Sequence, residues 1–291
     1  MRRKIKKVLF ISGFAILLIL AIVIVLFQRF RAEFDDKKVM SELNAQGVFP
    51  VTELIPYGDY QIHAQYIGDL SNPKVLLIHG SPGYWFDFKK IFADLSLRDQ
   101  FCLISYDRAG YGKTSVPAQE LLKNQAKHAA AVIQHFGKSG EKFTVLGHSY
   151  GGAVLEQTIL DYQDKISNAI YVAPCLSPDY QKAKWYNLMI SGGLTNKMMP
   201  YELRTSNHEM MALEDCLREN GNRLSEIYIP TTYIQGKKDV LVPYKTLYYY
   251  LKHHKDVEYT LHDDLNHFVP WSKPSLIIEA IKTGYQKSQN N

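Results

Sequence analysis

The segment Val145–Gly152, VLGHSYGG, constrains this chain more than any other. Ser149 follows an apolar run, KFTVLG (Lys142–Gly147), and precedes a helix-like one, YGGAVLEQTIL (Tyr150–Leu160). Gly147 and Gly151 stand two residues to either side of it. A chain that passes from strand to helix across one residue turns sharply and forces that residue into a strained conformation. The residues two before and two after it must then be small. Such a turn exposes the serine hydroxyl, and the helix N-terminus beneath it favours developing negative charge. G-x-S-x-G by itself is a common chance pattern. At a strand-to-helix junction it predicts a nucleophile elbow.

The surroundings of the elbow alternate in the way that such a junction needs. Val51–Tyr57 and Tyr60–Ile67 suggest a hairpin turned at Gly58-Asp59. Short β-rich runs follow: Lys74–Gly80, Phe101–Asp107, Lys142–Ser149, Asn168–Pro174, Thr231–Gly236 and Val257–Asp263. Continuous apolar runs of this length suit parallel strands buried on both faces. Between two of them Leu122, Ala126, Ala129, Ile133 and Phe136 recur at spacings of four and three, an amphipathic helix. The pattern predicts one α/β domain over residues 51–291 with a mostly parallel sheet. Residues 175–229 contain no convincing strand and are too long for a loop, so they read as a helical insertion, a lid.

A serine hydroxyl needs a base, and the base needs an orienting carboxylate. Asp239 lies just past the carboxyl end of the strand TTYIQG, and His267 in the loop after the last strand. Alone, Asp239 reads equally as a turn residue or helix cap, and His267 as a solvated loop histidine. The order Ser149, Asp239, His267 is the one this elbow uses. Asp263, Asp264 and His262 sit in or beside a strand and are the weaker candidates.

With these motifs the chain resembles the α/β-hydrolase superfamily from about Val51 to Lys282. The resemblance rests on HGSPG (His79–Gly83), YDRAGYGKTS (Tyr106–Ser115), GHSYGG, GKKD (Gly236–Asp239) and Asn266-His267-Phe268. It implies that the backbone N–H groups of Ser81 and Tyr150 form an oxyanion hole, and that Asp107 and Arg108 brace a loop. Serine at the elbow, where dehalogenases and epoxide hydrolases of this fold carry aspartate, implies acyl transfer on a small-molecule ester or thioester. An aminopeptidase like the proline iminopeptidases is the alternative, since their HGGPG turn is close to HGSPG. Against it, no acidic cluster for a substrate amine stands out in the insertion. A non-catalytic binding module of the same fold is a third reading, disfavoured because all three triad members are present.

Five of the positive charges behind the net +5 lie in MRRKIKK, and the rest of the chain is close to neutral. No nucleic-acid patch is implied. Val8–Phe27 then runs for twenty residues without a charge, enough at ~1.5 Å per residue to span a bilayer of ~30 Å. The run is longer than a signal core and no small-x-small site follows, so residues 1–30 read as a basic stub and transmembrane anchor, joined by a linker at 31–50. The denser basic cluster before the span favours a cytoplasmic N-terminus and an extracytoplasmic catalytic body. Hydrophobic residues make up 46% of the chain, ample for a sizeable core. Cys102, Cys175 and Cys216 form neither a disulfide framework nor a metal pattern, and whether Cys175 and Cys216 are bridged stays open. No metal and no cofactor is implied.

Overall fold

In a computed structural model, which describes residues 13–14, 17–18, 21–22, 24–25, 35–254 and 257–290, the short apolar runs line up in one sheet. Its strands are β1 (Val51–Tyr57), β2 (Tyr60–Ile67), β3 (Lys74–Ile78), β4 (Cys102–Tyr106), β5 (Phe143–His148), β6 (Ile166–Val172), β7 (Thr231–Gly236) and β8 (Val257–His262). They lie side by side in the order β1-β2-β4-β3-β5-β6-β7-β8. The hairpin β1–β2 is antiparallel and joins β4 antiparallel; every pairing from β4 to β8 is parallel. From β3 the chain moves to β4 on one side, then returns to set β5 on the other side of β3. The strand order therefore reverses between β3 and β5, and ligands of open α/β sheets bind outside the carboxyl ends at such a point.

Helices cover both faces. On one lie α2 (Leu122–Phe136) and α3 (Tyr150–Tyr162), where Leu122, Ala129, Val132, Val154, Leu155 and Ile159 are buried against the sheet. On the other lie α1 (Asp36–Ala45), through Val39 and Leu43, and α8 (Pro274–Asn290), through Ile277 and Ile281. The central strands β3, β4 and β5 are buried at every residue, as continuous apolar runs require. β8 departs from that expectation. Among the described residues it has β7 as its one neighbour in the sheet, and Glu258, Tyr259 and Thr260 are exposed, because an edge strand is covered less completely.

Residues 173–230, between β6 and β7, carry α4 (Trp185–Ser191), α5 (Gly193–Met198) and α6 (Tyr201–Gly221), followed after Thr231–Gly236 by α7 (Thr246–His253). The apolar side chains there divide between buried and exposed. Met199 is buried and Met210 packs on the core, but Trp185, Leu188 and Met189 are 71%, 61% and 49% exposed. Cys175 and Cys216 are both free thiols. The expected membrane span Val8–Phe27 lies for the most part outside the described residues. Among the described residues no helix is long and apolar enough to cross a membrane.

Candidate active site

Ser149 sits between β5 and α3 at φ 56°, ψ −122°. A non-glycine residue with positive φ of this kind costs about 1–3 kcal/mol, and the surrounding contacts hold it there. Its N–H donates to the Val172 carbonyl at 3.0 Å, and its carbonyl accepts from Gly152 and Cys175 at 2.9 and 3.0 Å. The need for small neighbours is visible in atoms. A Cβ on Gly147 would stand 2.3 Å from the Gly151 carbonyl oxygen, and one on Gly151 would stand 2.2 Å from that of Ile78. The elbow is packed too closely for any side chain.

Asp239 and His267 come from the loops that leave β7 and β8. Those loops are joined by backbone bonds, Lys237 N–H to the His262 carbonyl (2.8 Å) and Lys238 N–H to that of Leu265 (3.0 Å). Gly236 permits the approach, since a Cβ there would lie 2.1 Å from the Leu265 oxygen. Asp239 Oδ2 and His267 Nδ1 meet at 2.7 Å. Asp239 is further held by Gln235 Nε2 on Oδ2 (3.0 Å) and by the N–H groups of Leu241 and Val242 on Oδ1 (2.9 and 2.7 Å). These donors fix the carboxylate as an acceptor, so Nδ1 of His267 carries the hydrogen and Nε2 is left as the acceptor.

The residue before the serine ties His267 to the elbow. His148 Nε2–H donates to the His267 carbonyl at 3.0 Å, and the two rings are 4.9 Å apart between centroids. Burial, with a smaller contribution from the nearby His267, lowers the His148 pKa to about 3, so this ring stays neutral. Among the described residues Ser149 Oγ and His267 share no direct hydrogen bond; the side-chain neighbour of Oγ is Cys175 Sγ at 3.9 Å. Such bonds often tighten only once substrate is bound. Burial pushes the Cys175 thiol up to about 12, against a small opposing effect of Ser149, so it is not a competing nucleophile. Ser149, Asp239 and His267 are all buried.

The turn after β3 lies opposite. Among the described residues no carbonyl or side chain accepts from the N–H of Ser81 or Tyr150, so both donors are unspent. The Ser81 side chain is engaged: its Oγ donates to Ser206 Oγ (2.9 Å) and lies 3.1 Å from the Tyr111 hydroxyl. Asp107 braces its loop by accepting from His63 Nδ1 and from the N–H groups of Trp85 and Lys113 (2.8, 2.9 and 3.0 Å). Arg108 braces the turn itself. Its Nε and Nη2 donate to the carbonyls of His79 and Gly80 (3.1 and 2.8 Å), and its own N–H donates to His79 Nε2. Burial first, and the Arg108 charge second, hold the His79 pKa well below its usual value.

What the sequence reading missed is the partner of Arg108. Glu209, on α6, accepts from Arg108 Nη1 and Nη2, from the Tyr111 hydroxyl and from Gln125 Nε2. A signal was present: Glu202, Thr205, Glu209, Leu213 and Leu217 recur at threes and fours along α6 and are all buried. The inward stripe of this helix begins polar and ends apolar, so a hydrophobicity pattern alone passes over its first half. Among the described residues no group of three or more His, Cys, Asp or Glu side chains is placed to hold a metal ion.

The sequence profile described as the alpha/beta hydrolase family matches residues 75–277. A proline iminopeptidase from Elizabethkingia meningoseptica is 28% identical over 194 residues, 65% of this chain and 60% of that protein. The chain thus spans about 60% of the length of that relative. Among solved structures, a membrane phospholipase A described as a bacterial virulence factor superposes with a TM-score of 0.67 at 16% identity, covering 100% of both chains. The 2-hydroxy-6-oxo-6-phenylhexa-2,4-dienoate hydrolase of Rhodococcus sp. strain RHA1 gives 0.66 at 17% identity, over 81% of this chain and 99% of that one. At these identities the likeness is one of fold.

Proposed function

Since the chain belongs to the alpha/beta hydrolase family, we propose that it is a serine hydrolase of carboxylic esters or thioesters. One observation carries the reading: the 2.7 Å contact between Asp239 and His267, from two separate loops, beside the strained turn that holds Ser149. In the reaction Ser149 Oγ attacks the substrate carbonyl while His267 Nε2 takes its proton. The oxyanion that forms accepts from the N–H groups of Ser81 and Tyr150. Collapse expels the alcohol or thiol, which leaves with the proton from His267, and an acyl-serine remains. Water, deprotonated by the same nitrogen, releases the acid. Asp239 keeps Nδ1 protonated throughout and stabilises the imidazolium. Removing one oxyanion donor typically costs ~10²–10³ in turnover.

Residues 175–229 act as the lid over this serine, which is itself buried. Residues 8–27 anchor the chain in a bilayer, with the basic N-terminus cytoplasmic and the catalytic body outside. In support, Phe14, Leu17, Leu18, Ile22 and Val25 are about half exposed or more among the described residues, an apolar surface suited to lipid.

The aminopeptidase reading is favoured by the iminopeptidase relative. It needs a free carboxylate for the substrate amine. Glu209, the insertion's carboxylate that pairs with Arg108 behind the oxyanion turn, already accepts two hydrogen bonds on each oxygen. A fluorophosphonate label on Ser149, lost in Ser149→Ala, tests the nucleophile and separates an enzyme from a binding module. A panel of p-nitrophenyl esters, thioesters and proline p-nitroanilide tests the bond. Faster turnover of the anilide than of every ester overturns the esterase reading.

A further inference from the structure

Asp36, at the start of α1, is pinned to the body. Trp85 Nε1 donates to its Oδ1 at 2.6 Å, and Lys113 Nζ pairs with its Oδ2. Lys89 pairs with Glu42 one and a half turns later, at 2.8 Å. Trp85 and Lys113 belong to the loops that leave β3 and β4 at their carboxyl ends, and both donate backbone N–H groups to Asp107. The chain therefore enters its folded body on the edge of the sheet that also carries Ser149, Asp239 and His267.

Eight residues, 28–35, separate the apolar run from α1. Fully extended they reach at most ~28 Å. A body of this size is about 45 Å across, so the tether is too short to bring the opposite edge of the sheet to the bilayer. The carboxyl edge also carries exposed apolar side chains. On the insertion, Trp185, Leu188 and Met189 are 71%, 61% and 49% exposed. Val240 and Phe268, each next to a residue of the Asp239–His267 pair, are 86% and 50% exposed. Residues 181–200 contain Lys182, Lys184 and Lys197 and not one Asp or Glu, and all three lysines are exposed. An outward tryptophan among aliphatic side chains, flanked by exposed lysines, matches the headgroup boundary of an anionic membrane.

We infer that the outer face of the insertion, from Trp185 to Met198, rests on an anionic lipid bilayer, so that the edge of the sheet carrying Ser149 faces lipid rather than bulk water. The inference rests on the reading of residues 8–27 as an anchor. It narrows the substrate class to acyl compounds dissolved in the membrane, which reach the serine without crossing water.

The test uses the full chain in vesicles of phosphatidylcholine, with and without phosphatidylglycerol, whose acyl chains are brominated. Trp185 emission is isolated by subtracting the spectrum of Trp185→Phe. Quenching of that component, stronger with phosphatidylglycerol, is the expected result. Trp185→Asp combined with Leu188→Asp should slow hydrolysis of a vesicle-embedded ester at least tenfold more than that of a short water-soluble ester. A chain that floats with vesicles while its Trp185 component is unquenched overturns the docked face and leaves the anchor standing. A chain that does not float at all overturns the anchor, and the docked face with it. Trp185 shielding that instead tracks cross-linking between two copies assigns the face to a second copy and overturns the lipid assignment.

Discussion

Arg108 and Glu209 form a doubly hydrogen-bonded ion pair, at 2.5 and 3.2 Å, that solvent does not reach from either side. One partner leaves the carboxyl end of β4 and the other belongs to α6 of the insertion. The same guanidinium holds the carbonyls of His79 and Gly80, and Ser206, three residues before Glu209, receives a hydrogen bond from Ser81. The insertion is thus fastened to the turn that presents the Ser81 amide.

Removing one charge of this pair leaves the other buried and uncompensated. Glu209→Gln should lower stability by about 3–5 kcal/mol, read from urea unfolding midpoints. With Arg108→Met in a double-mutant cycle, the two losses should fail to add by at least ~1 kcal/mol. Additive losses would show that the pair contributes no coupling between α6 and the turn.

Asp239→Asn should cost about 10²–10⁴ in kcat with little change in KM. The N–H groups of Leu241 and Val242 require an oxygen opposite them, so the new amide must turn its nitrogen toward His267 Nδ1. That ring is then driven to the tautomer whose Nε2 carries hydrogen and cannot take the Ser149 proton. Steady-state kinetics with the preferred ester, and an intact thermal transition, check the prediction. Activity within threefold of wild type would remove Asp239 from the mechanism.

Gly151→Ala places a methyl 2.2 Å from the Ile78 carbonyl oxygen, which belongs to the sheet and cannot move cheaply. Overpacking should destabilise the chain by about 1–3 kcal/mol or more and reduce activity further by shifting the turn. Thermal unfolding with fluorophosphonate labelling rates separates the two effects. Gly140→Ala, at a surface turn with open space around its Cβ position but φ 78°, is the comparison for backbone strain without a clash.

Glu156 on α3 is buried, with Oε1 accepting from Asn220 Nδ2 at 3.2 Å and no partner on Oε2 among the described residues. Burial, opposed weakly by Asn220, raises its pKa from 4.5 to about 8. The folded state therefore holds this proton where the unfolded chain has released it. Its contribution to stability is full below 4.5 and is lost as pH rises through about 8. Glu156→Gln should gain stability relative to wild type steadily across that window. Urea midpoints at about pH 5 and about pH 8 supply the measurement, and a pH-independent difference would count against a buried protonated carboxyl.

How far the residues could be read in advance differs from part to part. The hairpin Val51–Tyr57 with Tyr60–Ile67 and the helix Leu122–Phe136 appear at the bounds their own periodicity predicts. The elbow glycines Gly147 and Gly151 were legible because the turn leaves no room for a side chain there, whereas Asp239 and His267 were named from their order after Ser149 and from the strands they follow, and the structure brings these two together. β8 was misjudged as a fully covered strand, since coverage depends on neighbours that no local pattern names.

Tertiary structure alone decided the rest. That Glu209 meets Arg108 across 101 positions, that His148 holds the His267 carbonyl across 119, and that Trp185 stays exposed are outcomes of packing between distant elements. Periodicity assigns a residue to a face of its own helix or strand. It carries no information about which other element covers that face, and a buried charge is settled by the partner that arrives there.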